Sequence, residues 1–171
     1  MATGVPWLAL YTCSRHEKTV AKQLTQRSIE SFLPLYTARR NWNGRRVQVQ
    51  LPLFPGYLFA RVSMESRLRV LNIPGVVRVV GFGGQDAVVR EKDIEAVRAA
   101  VAWGTAEPAP WVSAGQHVRV KSGPLEGLEG VVVRRKNSVR VVILLTVIMR
   151  AMAVEIDEAE LEPMRTNGWI G

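Results

Sequence analysis

Leu53-Phe54-Pro55-Gly56-Tyr57-Leu58-Phe59 is the stretch from which the fold of this chain is read. The Pro-Gly pair turns the chain sharply, and Tyr57 to Val62 resumes as a strand. Side chains alternate across a strand, so Tyr57 and Phe59 share one face. Large aromatic groups grouped in this way serve either as core or as a binding surface.

Before this stretch, Trp7 to Tyr11 is short and apolar and reads as a buried strand. Ser14 stands three residues ahead of Glu17, the spacing of a capping box, and predicts a helix start. In that helix Val20, Ala21 and Leu24 share one face, while Lys18, Lys22, Gln26 and Arg27 lie away from it. Pro34 to Thr37 leads into a second strand. Trp42-Asn43-Gly44-Arg45 holds the Asn-Gly pair of a two-residue hairpin, and Val47 and Val49 alternate with Gln48 and Gln50 on its return. After it come a short helix over 66–71, ended by Ile73-Pro74-Gly75, and a strand from Val76 to Val80. Gly83-Gly84 marks a turn. From Glu91 to Val101 the apolar residues Ile94, Val97 and Val101 recur at helical spacing. Glu91 and Asp93 sit in that helix's first turn, where its dipole favours acids.

This order predicts an α+β domain whose sheet is mostly antiparallel and flanked by helices. Gly104 to Pro110 holds two prolines and small residues without a period, and reads as a flexible linker. Beyond Ser113 the pattern changes to short strands separated by Gly, Pro and Asn turns, which predicts a small, strongly bent β-barrel. The expected domains are therefore 1–104 and 113–171, with the linker over 105–112.

The chain has 171 residues and a net charge of +8. Residues 1–105 hold fifteen Lys/Arg against seven Asp/Glu, whereas residues 106–171 hold eight of each. The basic excess therefore lies in the first part, which fits a polyanion facing that part alone. The bland reading is a basic, soluble protein with no nucleic-acid partner. The longest apolar run, Val139 to Met149, contains Arg140 and is about half the length of a membrane span, so it belongs in a core. No signal peptide is read at the start. Cys13 is the one cysteine, which excludes an internal disulfide and suits a reducing, cytoplasmic compartment.

Candidate catalytic groups are few in this chain. His16, His117 and Cys13 do not supply the ligand set of a zinc site, so neither metal nor cofactor is expected. Cys13 and His16 as a nucleophile pair would put a strand end against a first helical turn, an arrangement that serves packing more often than chemistry. Gly81-Phe82-Gly83-Gly84 lacks the Gly-Lys-Ser/Thr ending of a phosphate loop. The expectation is a binding protein with no catalytic residues.

Four stretches in order resemble the NusG family of transcription factors. These are Trp7 to Tyr11 with Glu17, Val20, Ala21 and Leu24; Leu53 to Phe59; Ile73-Pro74-Gly75-Val76 with Val79 and the helix from Glu91; and Val118-Arg119-Val120 with Ser122 to Gly130. The resemblance implies an N-terminal NGN domain and a C-terminal KOW β-barrel. It implies that the first domain sets an apolar pocket on the clamp helices of RNA polymerase and opposes pausing. The matching positions are Phe54, Tyr57 and Phe59, with Trp7 and Tyr11 adjoining; Trp7 reads equally well as core. Arg15, Lys18, Lys22, Arg27 and Arg78 would then face upstream DNA or the exposed non-template strand. Arg39, Arg40, Arg45 and Arg46 at the hairpin tip, with Trp42 between them, offer a second phosphate and stacking surface, or else a solvated hairpin.

The chain departs from general members of the family before Arg150, where Ile148-Met149 replaces a Phe-Gly pair. That pair supplies the aromatic group used by some members on a ribosomal protein. With the apolar run Val139 to Met149, this resembles specialised paralogues of the RfaH, LoaP and UpxY kind, which act on selected operons. A housekeeping elongation and termination factor is the alternative, and a ribosomal protein or termination factor is the expected partner of the KOW domain. Another alternative is a KOW-type RNA-binding or ribosome-associated module, against which stands the neutral charge of the second part. A monomer with no membrane contact is expected.

Overall fold

The computed structural model describes residues 4–112 and 114–165. The chain divides into two compact units, Met1–Glu95 and Ala96–Gly171. The last positions of the expected second domain, 166–171, lie outside the described residues.

The first unit runs β1 (Trp7–Thr12), α1 (Glu17–Gln26), β2 (Ser31–Phe32), β3 (Leu35–Trp42), β4 (Arg45–Pro52), β5 (Tyr57–Arg61), α2 (Arg67–Leu71), β6 (Val76–Val79), β7 (Gly81–Phe82), β8 (Gln85–Asp86) and β9 (Val88–Val89). Its main sheet has the order β2-β5-β1-β6, with β9 also on β1, and the recorded pairings are antiparallel. The expected α+β order with an antiparallel sheet is therefore present. One sheet face turns Leu8, Leu10, Leu58, Ala60 and Val79 into a cluster with Val20 and Leu24 of α1 and Val70 of α2. Each fully buried Leu or Val contributes about 1.5–3 kcal/mol, so this face fixes where α1 lies. A single-residue slip of β5 would exchange its two buried faces.

Two local readings change. Ser14 does not cap α1: His16 occupies the cap position without a side-chain bond, and Arg15 has φ 64°. Glu17 is buried and turns to β5 instead. The strand expected to begin near Pro34 is longer and starts at Leu35. It forms with β4 an eight-pair ribbon around Asn43 (φ 49°) and Gly44 (φ 76°), the backbone that an Asn-Gly hairpin turn requires.

α3 (Glu91–Trp103) follows, with Ile94, Val97 and Ala100 buried along one stripe. The second unit then carries β10 (Glu107–Ala109), β11 (His117–Val120), β12 (Glu129–Arg135), β13 (Ser138–Leu145), β14 (Arg150–Ile156) and β15 (Leu161–Pro163). The sheet order is β10-β14-β13-β12-β11-β15, antiparallel at each recorded pairing. Part of the expected linker is thus a strand: Glu107, Pro108 and Ala109 pair with Ala153, Met152 and Ala151. Pro108 is tolerated because β10 is an edge strand.

β10 also accounts for the unbroken apolar run. Val141, Ile143 and Leu145 face one side of β13 and are buried. On the other side Val142 joins Ala151 and Ala153 in a second cluster, packed by Ala109, Val112, Val133 and Leu144. Both faces of β13 are covered, so alternation is lost without any need for a helix. Gly130 permits the tight β12–β13 approach, since a Cβ there would stand 2.5 Å from the Val142 carbonyl oxygen.

Candidate functional site

The site begins at the turn before β5. Gly56 has φ 88°, a left-handed conformation suited to glycine, and a Cβ on it would press to 3.3 Å from the Tyr11 ring. Both ends of its peptide units are held. The Gly56 N–H donates to Glu17 Oε1 at 2.8 Å, and the Gly56 carbonyl accepts from Thr12 N at 2.8 Å. Tyr57 therefore leaves the turn in a fixed register opposite Tyr11.

Across three strands this register produces a ladder. Tyr57 lies opposite Tyr11 with ring centroids 5.2 Å apart, and Arg78 of β6 lies opposite Tyr11 on the other side. The Arg78 guanidinium sits 5.3 Å from the centre of the Tyr11 ring, within cation–π reach. Tyr11 is half-buried, Tyr57 is 7% exposed and Arg78 is exposed.

The remaining aromatic candidates lie deeper. Phe59, Phe54 and Trp7 are 0%, 1% and 2% exposed. Phe54 meets Phe59 edge-on with centroids at 6.4 Å, and Phe32 stacks on Phe59 at 6.3 Å. The Arg61 guanidinium lies 4.7 Å from the centre of the Trp7 ring, and Arg61 also pairs with Glu30 and Glu91, each at 2.9 Å. Trp7, Phe54 and Phe59 are thus core side chains in the free protein. Tyr57 is buried with them, and of the five aromatic candidates only Tyr11 is half-buried. In strand periodicity the two roles look alike, because one sheet face carries all of Trp7, Tyr11, Tyr57 and Phe59.

The basic candidates are exposed and fall into two groups. Lys18 and Lys22 lie one turn apart on α1, while Arg15 precedes the helix and Arg27 follows its end. Lys18 Nζ donates to the Gln50 carbonyl at 2.6 Å, tying α1 to the base of the hairpin, and Arg27 Nη1 donates to the Gln23 carbonyl at 3.1 Å. Arg39, Arg40, Arg45 and Arg46 form the second group, at the hairpin tip.

Two features of this region are not legible in the sequence. Glu17 has the spacing of half a capping box, and nothing local distinguishes that from a carboxylate aimed at a distant turn. The bidentate pair of Arg67 and Asp86, at 2.7 and 2.9 Å, joins α2 to β8. The hydrogen bond from Arg67 holds the Asp86 carboxyl below its ordinary range, against a smaller opposing effect of burial. Among the described residues there is no cluster of His, Cys, Asp and Glu suited to a metal ion. Nor is any described helix long and apolar enough to cross a membrane.

The first unit thus carries an antiparallel sheet with Arg78, Tyr11 and Tyr57 in register, and exposed basic side chains at α1 and on the β3–β4 hairpin. A family described as "Transcription termination factor nusG" matches residues 6–98, more than half of the chain, so the chain belongs to the NusG family. Among curated relatives it is similar to the transcription termination/antitermination protein NusG of Lactococcus lactis subsp. lactis (strain IL1403), 25% identical, covering 93% of each chain. The NusG of Staphylococcus carnosus (strain TM300) is 27% identical over 92% of this chain and 95% of its own. Among solved structures, one described as "Domain interaction in Thermotoga maritima NusG" is similar in fold, with a TM-score of 0.55 and 21% identity over 94% of this chain and 97% of that one.

Proposed function

We propose that this NusG-family chain is a transcription elongation and antitermination factor that binds the clamp helices of RNA polymerase through Tyr11 and Tyr57. The observation that carries the reading is the Arg78–Tyr11–Tyr57 ladder, which lies inside the family-matched region and is fixed from behind by Glu17 and Gly56. Rigid aromatic groups with a cation at their rim have the chemistry of an interface hot spot. Nothing is cleaved. Binding free energy spent on one conformation of the polymerase shifts its equilibrium away from pausing.

In this reading residues 1–104 act as the NGN domain and 113–171 as the KOW domain. Arg15, Lys18, Lys22, Arg27 and Arg78, with the hairpin arginines, face upstream or non-template DNA. Action at selected operons is supported by the absence of the Phe-Gly pair: Ile148 is buried and Met149 is 54% exposed, so no aromatic group stands before Arg150.

The test is capture of RNA polymerase by the full-length protein and by its Tyr11→Ala/Tyr57→Ala variant. Hot-spot losses of about 2–4 kcal/mol are expected. Unchanged capture by a double variant with an unaltered circular dichroism spectrum would refute the assignment.

A further inference from the structure

The β3–β4 hairpin is a ribbon with two unlike faces. Cross-strand partners share a face, and the register sets Trp42 opposite Arg45 and Arg40 opposite Val47. Arg40, Trp42 and Arg45 therefore stand together at the tip, above a half-buried apolar stripe of Ala38, Val47 and Val49. The reverse face carries Arg39, Asn41 and Arg46, all exposed. Trp42 is 70% exposed although burying an indole is among the larger gains a fold can make. Between Ser31 and Met64 the sequence contains no Asp or Glu, so no acid within the ribbon offsets its arginines.

We propose that Trp42 is a stacking platform for one unpaired base of a nucleic-acid strand, with Arg40 and Arg45 on the phosphates beside it. The charge selects a polyanion. The indole selects an unpaired strand, because bases inside a duplex already stack on one another and offer no free ring face. The two-residue turn keeps the indole and the two guanidinium groups on one short, regular ribbon, so stacking orders few additional bonds. The proposal rests on the reading that this domain works beside nucleic acid. It adds the strand class and the residue that recognises it.

The test measures binding of full-length protein to a labelled oligothymidylate and to a duplex of equal length, over a range of salt. Trp42→Ala should weaken single-strand binding about tenfold to a hundredfold, the range for one base on one ring, with the salt slope unchanged. Trp42→Phe should recover most of that loss, and duplex binding should hardly move. Arg40→Ala and Arg45→Ala should each flatten the single-strand salt slope by about 0.7. If Trp42→Ala is without effect while the arginine variants weaken binding, stacking is refuted and the electrostatic DNA contact stands. Absence of binding by the parent protein to either nucleic acid overturns both. Weaker polymerase capture by Trp42→Ala, with oligonucleotide binding intact, would make the indole a protein anchor and overturn the proposal.

Discussion

Glu17 and Gly56, 39 residues apart, are joined by a hydrogen bond of 2.8 Å from the glycine N–H to a carboxylate that is itself buried. This bond connects the first helical turn to the turn that aims Tyr57. Its loss acts at two levels. Glu17→Ala leaves the Gly56 N–H unsatisfied and should cost about 1–3 kcal/mol of folding stability, read from urea unfolding. Polymerase capture by the folded fraction should fall as well, because the Tyr57 register loosens. A variant as stable as the parent would show that water replaces the carboxylate.

Phe59 and Tyr11 separate support from contact. Phe59 is fully buried, so Phe59→Ala should cost about 3–5 kcal/mol in folding and reduce binding through loss of folded protein. Tyr11 is half-buried, so Tyr11→Ala should cost less stability while reducing polymerase capture in protein that remains folded. Thermal unfolding measured beside capture distinguishes the two. Equal stability losses at both positions would return Tyr11 to the core.

The contrast also shows how far the sequence could be read. The Pro-Gly turn, the Asn-Gly hairpin and the α3 helix depend on local rules of backbone and period and stand in the structure, although Ala100 is buried in the stripe where Val101 is only half-buried. The depth of Phe54 and Phe59 depends on what other segments lay over them, which period-two alternation does not encode. The aim of Glu17 is non-local in the same way. β10 is hidden in the sequence because its one proline and the small residues around it have linker composition, and its pairing is decided by an apolar face on β13 and β14.

Asp86 supplies a pH dependence. Its folded carboxyl titrates below the ordinary 3.8, chiefly through the Arg67 hydrogen bond. A depressed acid stabilises the fold above its unfolded value and loses that contribution as pH falls through the folded value. Asp86→Asn should therefore lower the melting temperature at neutral pH, with the deficit closing as the solution is acidified below about 3.8. Both side chains remain partly solvated, so the effect should be small and should shrink in salt. A deficit that persists unchanged in acid would mean that the asparagine harms packing and not an ion pair.

The second unit tests whether the apolar run Val139 to Met149 is committed to strand. Val, Ile and Leu fill β13, and β-branched side chains favour extended backbone over helix. Val142, Ala151 and Ala153 are covered with the help of Ala109 and Val112, and Glu107 pairs with Arg140, whose side chain is 17% exposed. A fragment beginning at residue 105 keeps these partners; one beginning at residue 114 uncovers the cluster and leaves Arg140 without its carboxylate. The shorter fragment should be less stable by roughly 1–3 kcal/mol, the cost of an unsatisfied, largely covered polar group. Far-UV circular dichroism should show strand for the longer fragment, and urea unfolding should give the stability difference. Equal midpoints would mean that β10 is an ornament on a self-sufficient sheet. A helical spectrum from the longer fragment would mean that the run has a second packing, which the coverage of both β13 faces argues against.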